Sequence, residues 1–151
     1  MTIDATLEGR TGEPFTMVVE LGKIREFARA TKSRNPAYDG QPGDTPVSPG
    51  TFLMAAAFWQ GPPANPFNGI KRNFQRILHG GQEFTFHGPP PRAGDVLVGT
   101  ARIDKVYEKP GKRGGSMIFT ELVTEFRDPA GRLVAETRST TIETSKPTGQ
   151  G

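Results

Sequence analysis

The feature that most constrains the fold is a short predicted helix with almost no polar face. Residues 51–60 read TFLMAAAFWQ, so apolar side chains surround this helix on nearly every side. Ser48 is a good N-cap and Pro49 suits the first helical position, while Pro62 and Pro63 end the helix by about residue 60. A helix without a polar face has to be buried, so another part of the chain must wrap around it.

The second half of the chain predicts the structure that wraps this helix. Four strands are predicted there, over residues 76–87, 96–108, 116–127 and 132–143. The last three run for about 12 residues, against a usual length of roughly five to six, which implies a strongly curved sheet. Gly80 and Gly81 inside the first of the four indicate a bulge or a sharp bend.

The first part of the chain adds one strand and one helix. Residues 15–21 predict a short strand, Gly22 a turn, and residues 23–31 a helix. Four residues form one stripe on that helix, which therefore covers a core: Ile24, Phe27, Ala28 and Thr31. Residues 32–47 form a long loop, and loops of this length often carry function.

We therefore predict an α+β protein with one domain over residues 1–144 and a disordered tail over residues 145–151. A curved antiparallel sheet wrapped around a buried central helix is the hot-dog fold. Other α+β rolls would also bury such a helix, so the order of the elements by itself leaves them open.

The composition excludes several kinds of site and partner. The chain has no cysteine and only 2 histidines, so disulfides, thiolate chemistry and a metal site are not expected. The net charge is +3, but the lysines and arginines are scattered, so a nucleic-acid partner is not expected either. The N-terminus has no apolar core of a signal peptide, and no apolar run is long enough to span a membrane. We expect a cytoplasmic protein.

Five short segments carry a resemblance to a known family. They read KIREFARA at 23–30, NPAY at 35–38, VSPGTF at 47–52, LHGGQEF at 78–84 and PRAGD at 91–95. In this order and spacing, they make residues 15–144 similar to the MaoC-like hydratase/dehydratase family, in particular to its N-terminal-half type, the fatty-acid-synthase-like dehydratase domains. The resemblance implies the hot-dog fold and chemistry on acyl thioesters.

The catalytic pair of this family is missing from the sequence. Its R-specific enoyl-thioester hydratases place an Asp two residues before an Asn-Pro pair and a His two residues after it, and together these act as acid and base. The matching positions here hold Ser33 and Tyr38, around Asn35 and Pro36. A serine is no base unaided, and a tyrosine with the usual pKa of about 10 is a poor base at neutral pH. No catalytic residue is therefore expected.

This departure makes the chain resemble the non-catalytic halves of the family, such as the substrate-binding subunits of mycolic-acid dehydratases and the partner subunits of steroid side-chain hydratases. The resemblance implies a hot-dog partner with an intact Asp-x-Asn-Pro-x-His motif, docked so that the two sheets are continuous. It implies an acyl-CoA or acyl-carrier-protein (acyl-ACP) thioester as substrate, no other cofactor, and a homodimer when the chain is purified alone. Two alternatives stay open: a thioester-binding homodimer without chemistry, and a self-sufficient hydratase that uses an unusual base such as His79. Fatty, polyketide and steroid acyl groups are not distinguished.

The resemblance also implies contacts to the thioester, at Asn35, Gly50, Thr51, Phe52 and Trp59. In catalytic relatives, the glycine that matches Gly50 offers its amide to the thioester oxygen, as in an oxyanion hole. The alternative is a glycine required by tight helix–sheet packing. The apolar side chains of the central helix either line an acyl pocket or form core, with Trp59 the best pocket candidate: Phe52, Met54, Phe58 and Trp59.

The remaining candidates have a simpler structural interpretation. His79 lies in a motif that the family uses structurally, although a part in catalysis stays open, and His87 is expected at the surface. A basic hairpin could meet CoA phosphates or an acidic carrier protein, or be a solvated loop: Lys105, Lys109, Lys112 and Arg113. The hairpin glycines join two strands and do not make a phosphate-binding loop: Gly111, Gly114 and Gly115.

Overall fold

Five strands and one α-helix make up the fold. The structure is a computed structural model that describes residues 3–41, 43–112 and 114–146. The regular elements are β1 (Phe15–Val18), α1 (Leu21–Ala30), β2 (Ile77–Phe86), β3 (Val96–Pro110), β4 (Ser116–Arg127) and β5 (Leu133–Thr144). All strands join one antiparallel sheet in the order β1-β3-β4-β5-β2. This arrangement confirms the predicted α+β hot-dog fold.

The main core lies between the sheet, α1 and the central segment. The buried side chains of the sheet include Leu97 and Ala101 on β3, Phe126 on β4 and Ala135 on β5. Phe15 of β1 meets Phe126 edge to face, with ring centroids 6.3 Å apart. Strand β1 leads into α1 after only two residues, so this aromatic contact fixes where the helix begins.

The first strand is shorter and the first helix begins earlier than predicted. Residues Phe15–Val18 form the strand, and α1 starts at Leu21, so Gly22 lies in its first turn and makes no turn of its own. The stripe on α1 is confirmed for Ile24 and Ala28, which are buried, whereas Thr31 is exposed.

The central helix differs from the prediction in type, start and burial. It is a 3-10 helix over Phe52–Phe58, and Ser48 is not its N-cap. The amide of Ser48 instead donates to the Pro91 carbonyl at 2.8 Å, which ties the segment to the turn before β3. Four of its side chains are buried, namely Phe52, Leu53, Ala55 and Ala56. Met54 is 45% exposed and Phe58 81%, so of the two roles predicted for these side chains, pocket lining or core, the core role is wrong for both.

The long strands follow the predicted boundaries closely. The register between β2 and β5 shifts between His79 and Gly81, which confirms the predicted bulge. Ser145 and Lys146 form a bend after β5, and the rest of the predicted tail, residues 147–151, lies outside the described residues. Within the described ranges, no helix is long and apolar enough to cross a membrane.

The two edges of the sheet are covered by the chain to different extents. Residues 3–12 run along β3 and pack a small second core there, formed by Ile3, Leu7, Ile103 and Val106. Backbone bonds hold this segment, since Gly9 donates to the Ile103 carbonyl at 2.8 Å and Gly12 to the Ala101 carbonyl at 2.9 Å. At the other side, no part of the chain that the structure describes pairs with the outer edge of β2, where Leu78 is 42% exposed.

Candidate functional site

The candidate site begins at the C-terminal end of α1, where the chain reverses sharply. The Ser33 amide donates to the Ala28 carbonyl at 2.9 Å and the Lys32 amide to the Arg29 carbonyl at 3.0 Å. Lys32 between them has φ +57, in the left-handed region that glycine usually occupies at such a helix end. This turn sends residues 33–39 back along the helix that precedes them.

A cavity of about 270 Å³ lies between α1 and the returning segment. It is lined from α1 by Arg25, Ala28 and Arg29, and from the segment by Ser33, Arg34, Asn35, Pro36, Tyr38 and Asp39. Both positions of the missing catalytic pair are thus in one cavity, as the family motif requires. Because a serine and a tyrosine occupy them, the cavity lacks the Asp–His pair.

The local roles of the three motif residues differ. Asn35 caps the short turn Pro36–Tyr38, since its Oδ1 accepts a hydrogen bond from the Ala37 amide at 3.0 Å. The Ser33 hydroxyl accepts from the Asn35 amide at 3.3 Å. Tyr38 packs half-buried against the main core. These contacts give Asn35 a structural task, and its predicted contact with a thioester stays a prediction.

The cavity wall carries more positive than negative charge. Arg25 Nε lies 3.8 Å from Asp39 Oδ1, a distant and solvent-exposed ion pair. Arg29 and Arg34 have no carboxylate within 4.0 Å among the described residues. Two of the three arginines that line the cavity are therefore uncompensated.

The other predicted contact residues form a second group, apart from the lining of this cavity. Phe52 is fully buried and meets Phe27 of α1 edge to face, with centroids 5.6 Å apart, so it belongs to the core. Trp59 is half-buried and packs against the same core. Thr51 is exposed and caps the 3-10 helix without a side-chain hydrogen bond. The exposed Phe58 ring instead lies under the Lys23 ammonium, 5.1 Å from its centroid.

The surroundings of Gly50 distinguish between the two roles considered for it, an amide contact to the thioester oxygen and a glycine required by close packing. A Cβ built on Gly50 has no atom within 4 Å, so close packing does not require a glycine at this position. Its φ is also outside the left-handed region. In the described part of the chain, its amide has no hydrogen-bond acceptor. The packing explanation is therefore wrong, and a free amide is left at the start of the central segment.

The histidines and the basic hairpin lie elsewhere. His79 is exposed on β2 opposite Thr141 and does not line the cavity. His87 is at the surface, with Nε2 2.7 Å from Glu136 Oε2. In the hairpin, Lys109 covers the stacked rings of Tyr107 and Phe119 at 5.2 and 5.0 Å, whereas Lys105 and Lys112 are exposed and Arg113 lies outside the described residues.

The arginines of the cavity were missed by the sequence reasoning. Arg25 and Arg29 are four residues apart on α1 and therefore share a face, which the sequence does show. The approach of Arg34 depends on the reversal at Lys32, which no local pattern predicts. Elsewhere in the described ranges, no three histidine, aspartate or glutamate side chains come close enough to hold a metal ion.

Comparison with known proteins shows the family to which the chain belongs. A family model described as the FAS1-like dehydratase domain region matches residues 6–137. The chain is 33% identical over 144 residues to UPF0336 protein SCO4636 of Streptomyces coelicolor, covering 89% of this chain and 90% of that protein. It is 33% identical over 128 residues to UPF0336 protein Rv0504c of Mycobacterium tuberculosis, covering 80% of this chain and 73% of that protein.

Solved structures share the fold. A chain of the C-terminally truncated HadBC complex of Mycobacterium tuberculosis, a 3R-hydroxyacyl-ACP dehydratase, superposes with a TM-score of 0.70 at 28% identity, covering 94% of this chain and 99% of that one. A chain of the ChsH1-ChsH2 complex of the same organism superposes with a TM-score of 0.65 at 19% identity, covering 93% and 86%. The second likeness shows the fold alone.

Proposed function

Because the chain belongs to the family of FAS1-like dehydratase domain regions, a hot-dog hydratase/dehydratase family, we propose that it is a non-catalytic, acyl-thioester-binding subunit. Its complex would be a heteromeric R-specific enoyl-CoA or enoyl-ACP hydratase, or equally a 3-hydroxyacyl dehydratase in the reverse direction, working in the cytoplasm. The partner would be a second hot-dog protein with an intact Asp-x-Asn-Pro-x-His motif. No cofactor beyond the carrier of the acyl group is needed.

The observation that carries this proposal is which side chains line the cavity. Addition of water to an enoyl thioester needs a positioned acid and base. Ser33 and Tyr38 stand where the family places that pair, and the one carboxylate lining the cavity, Asp39, is directed to Arg25. The fold that positions the chemistry is present, but the groups that perform it are not. This supports the role of a subunit that shapes or anchors the substrate.

The open sheet edge supports a partner of the same fold. Strand β2 is ten residues long and unpaired on its outer side within the described residues, and such an edge invites another strand. Exposed apolar side chains lie on β2 and just before it, including Leu78 and the 81% exposed Phe74. Docking of a second hot-dog protein there would continue the sheet and cover part of this apolar surface. The resemblance to a chain of the two-subunit HadBC complex supports the same arrangement.

The decisive experiment is reconstitution. We expect no measurable hydration of crotonyl-CoA by the purified chain, and turnover when it is coexpressed with a small hot-dog protein of the same genome that has the Asp-x-Asn-Pro-x-His motif. The two proteins should copurify, and mutation of the partner's Asp or His should abolish turnover. Robust turnover by this chain alone, lost in His79→Ala, would refute the non-catalytic role. A stable homodimer that binds thioesters but accepts no such partner would favour the non-enzymatic alternative.

Trp59 tests whether the central segment contributes to the acyl pocket. Its ring is half-buried against the core, so Trp59→Ala should lower the stability of the complex in either case, by less than the roughly 3–5 kcal/mol of a fully buried aromatic. If the exposed part of the ring also lines the pocket, the ratio of kcat/KM for a short and a bulky thioester should shift about tenfold or more. Phe52→Leu in the fully buried neighbour is the matched control, because it should lower stability without shifting that ratio.

A further inference from the structure

The cavity beside α1 has an excess of positive charge in its lining. Three arginines line it, Arg25, Arg29 and Arg34, and one carboxylate residue, Asp39. Two guanidinium groups are therefore left without a carboxylate in the described part of the chain. Like charges that share the lining of one cavity repel one another, and an anion bound there would offset this repulsion.

The arginines are not needed to complete the helix end. Basic side chains near a helix C-terminus often bind the last free carbonyl groups. Here backbone amides and a hydroxyl already occupy these carbonyls: the Ser33 amide donates to Ala28, and Thr31 donates to Phe27 from both its amide and its hydroxyl, each at 3.0 Å. The guanidinium donors of Arg29 and Arg34 have no hydrogen-bond acceptor among the described residues, so they are available to a ligand.

Two further residues that line the same cavity, Ser33 and Asn35, carry hydrogen-bond donors. Asn35 uses its side-chain oxygen to cap the next turn, which leaves its amide NH₂ free to donate. The hydroxyl of Ser33 accepts one bond from the chain and keeps its own proton for donation. Planar guanidinium groups bind phosphate oxygens in pairs of parallel hydrogen bonds, with both charge and geometry matched. A carboxylate has two acceptor oxygens and can pair with one such group, whereas a phosphate group has further oxygens and can accept from both free guanidinium groups.

We propose that this cavity is a phosphate-binding site for the carrier of the acyl thioester. The inference rests on the proposed function for the identity of the ligand, because both kinds of carrier bear phosphate. CoA presents the phosphates of its nucleotide, and an acyl carrier protein presents the phosphodiester of its pantetheine arm. The position that holds the acid–base pair in catalytic relatives would then anchor the carrier in this chain, by Arg29 and Arg34 in particular.

The test is titration calorimetry on the full chain with three probes: inorganic pyrophosphate, adenosine 3′,5′-bisphosphate for the CoA nucleotide, and 4′-phosphopantetheine for the arm that CoA and a carrier protein share. We expect binding that weakens as salt rises, and about tenfold or greater weakening in Arg29→Gln and in Arg34→Gln. The matched control is Arg132→Gln, in an exposed turn where the arginine pairs with Asp128. Its affinity should equal that of the unaltered chain. Tighter binding of the bisphosphate assigns the site to the nucleotide of CoA. Tighter binding of phosphopantetheine assigns it to the arm that both carriers share, and the affinities of CoA and of the holo carrier protein then identify the carrier.

The outcomes separate this inference from the function on which it rests. Equal affinity in the two cavity variants and in Arg132→Gln, or no binding of any probe at millimolar concentration, overturns the phosphate site. The reconstituted complex can still hydrate thioesters in that case, and the proposed function stands. Conversely, probe binding that depends on Arg29 and Arg34, in a chain that accepts no catalytic partner, keeps the site and overturns the hydratase role. Melting curves of each variant exclude loss of binding through unfolding.

Discussion

Gly99→Ala tests the contact that sets the position of α1 and of the cavity. Phe15 and Gly99 are partners across β1 and β3, and the Phe15 ring lies over the glycine. A Cβ added at Gly99 would be 2.3 Å from Cζ of that ring and 2.6 Å from Cε1. An ordinary contact begins at 3.4 Å, so the ring would have to retreat by about 1 Å.

The retreat is costly because the ring has little space. Phe15 is 8% exposed and packs edge to face on Phe126, which is fully buried. Overpacking of this kind costs about 1–3 kcal/mol. For a chain of this length, each kcal/mol corresponds to roughly 2–4 °C in Tm. We therefore expect the Tm of Gly99→Ala to fall by several degrees in a thermal melt followed by circular dichroism.

Two further variants separate a steric clash from a general effect of losing a strand glycine. Gly81→Ala is the matched control, since its added Cβ would meet nothing closer than 3.9 Å and should change stability little. In a Phe15→Leu background, Gly99→Ala should cost clearly less than in the unaltered chain, because the smaller side chain leaves room. A coupling energy of about 0.5 kcal/mol or more is expected from the double-mutant cycle. Equal losses for Gly99→Ala and Gly81→Ala, with no coupling to Phe15, would refute the reasoning.

Three smaller predictions follow from the residues around the site and on the sheet. Lys32→Gly should raise stability by up to about 1 kcal/mol, because glycine relieves the left-handed φ of +57, whereas Lys32→Ala removes the same charge and should bring no gain. Asn35→Ala should cost about 0.5–1 kcal/mol through loss of the cap, and Asn35→Asp, which keeps the acceptor, should cost less in the same denaturant titration. The hydrogen bond from Arg138 holds the pKa of Asp104 below its ordinary value of 3.8. Because the pKa of Asp104 is lowered in the folded state, its ionised form stabilises the chain above the unfolded pKa, and this stabilisation is lost as pH falls through the folded pKa. Asp104→Asn should therefore be less stable than the unaltered chain at pH 6, and the difference should shrink only as pH falls below 3.8. A difference that stays constant down to pH 2 would contradict this assignment.

The sheet could be predicted from the sequence because its strands are long and their pattern is local. Residues 116–127 were predicted as a strand and form β4 with the same bounds. The bulge that Gly80 and Gly81 predict is also confirmed in β2. Strands β3, β4 and β5 form a meander in which sequence neighbours pair, so local pattern and tertiary structure agree there, whereas the pairing of β2 with β5 and of β1 with β3 is not a local property.

The central segment and the cavity could be predicted only in part, for two different physical reasons. An all-apolar pattern shows that most of a segment is buried, but it does not reveal that the segment is a single 3-10 helix whose Phe58 lies outside the core. The cavity depends on a reversal at Lys32, a residue whose type argues against the conformation it adopts. Grouping of Arg25, Arg29 and Arg34 follows from that reversal, so a reading of local periodicity could not find it.

The unequal sides of the sheet limit how many copies can associate. A sheet that is open on both sides can add strands indefinitely, which is how fibres grow. In this chain residues 3–12 already cover the edge of β3 beyond the four-residue β1. That edge therefore leaves few free backbone groups for pairing with a strand of another subunit. If a partner of the same fold pairs with β2, as proposed, and its opposite edge is covered in the same way, the sheet would stop growing at two subunits. The N-terminal segment would then limit polymerisation of the chain.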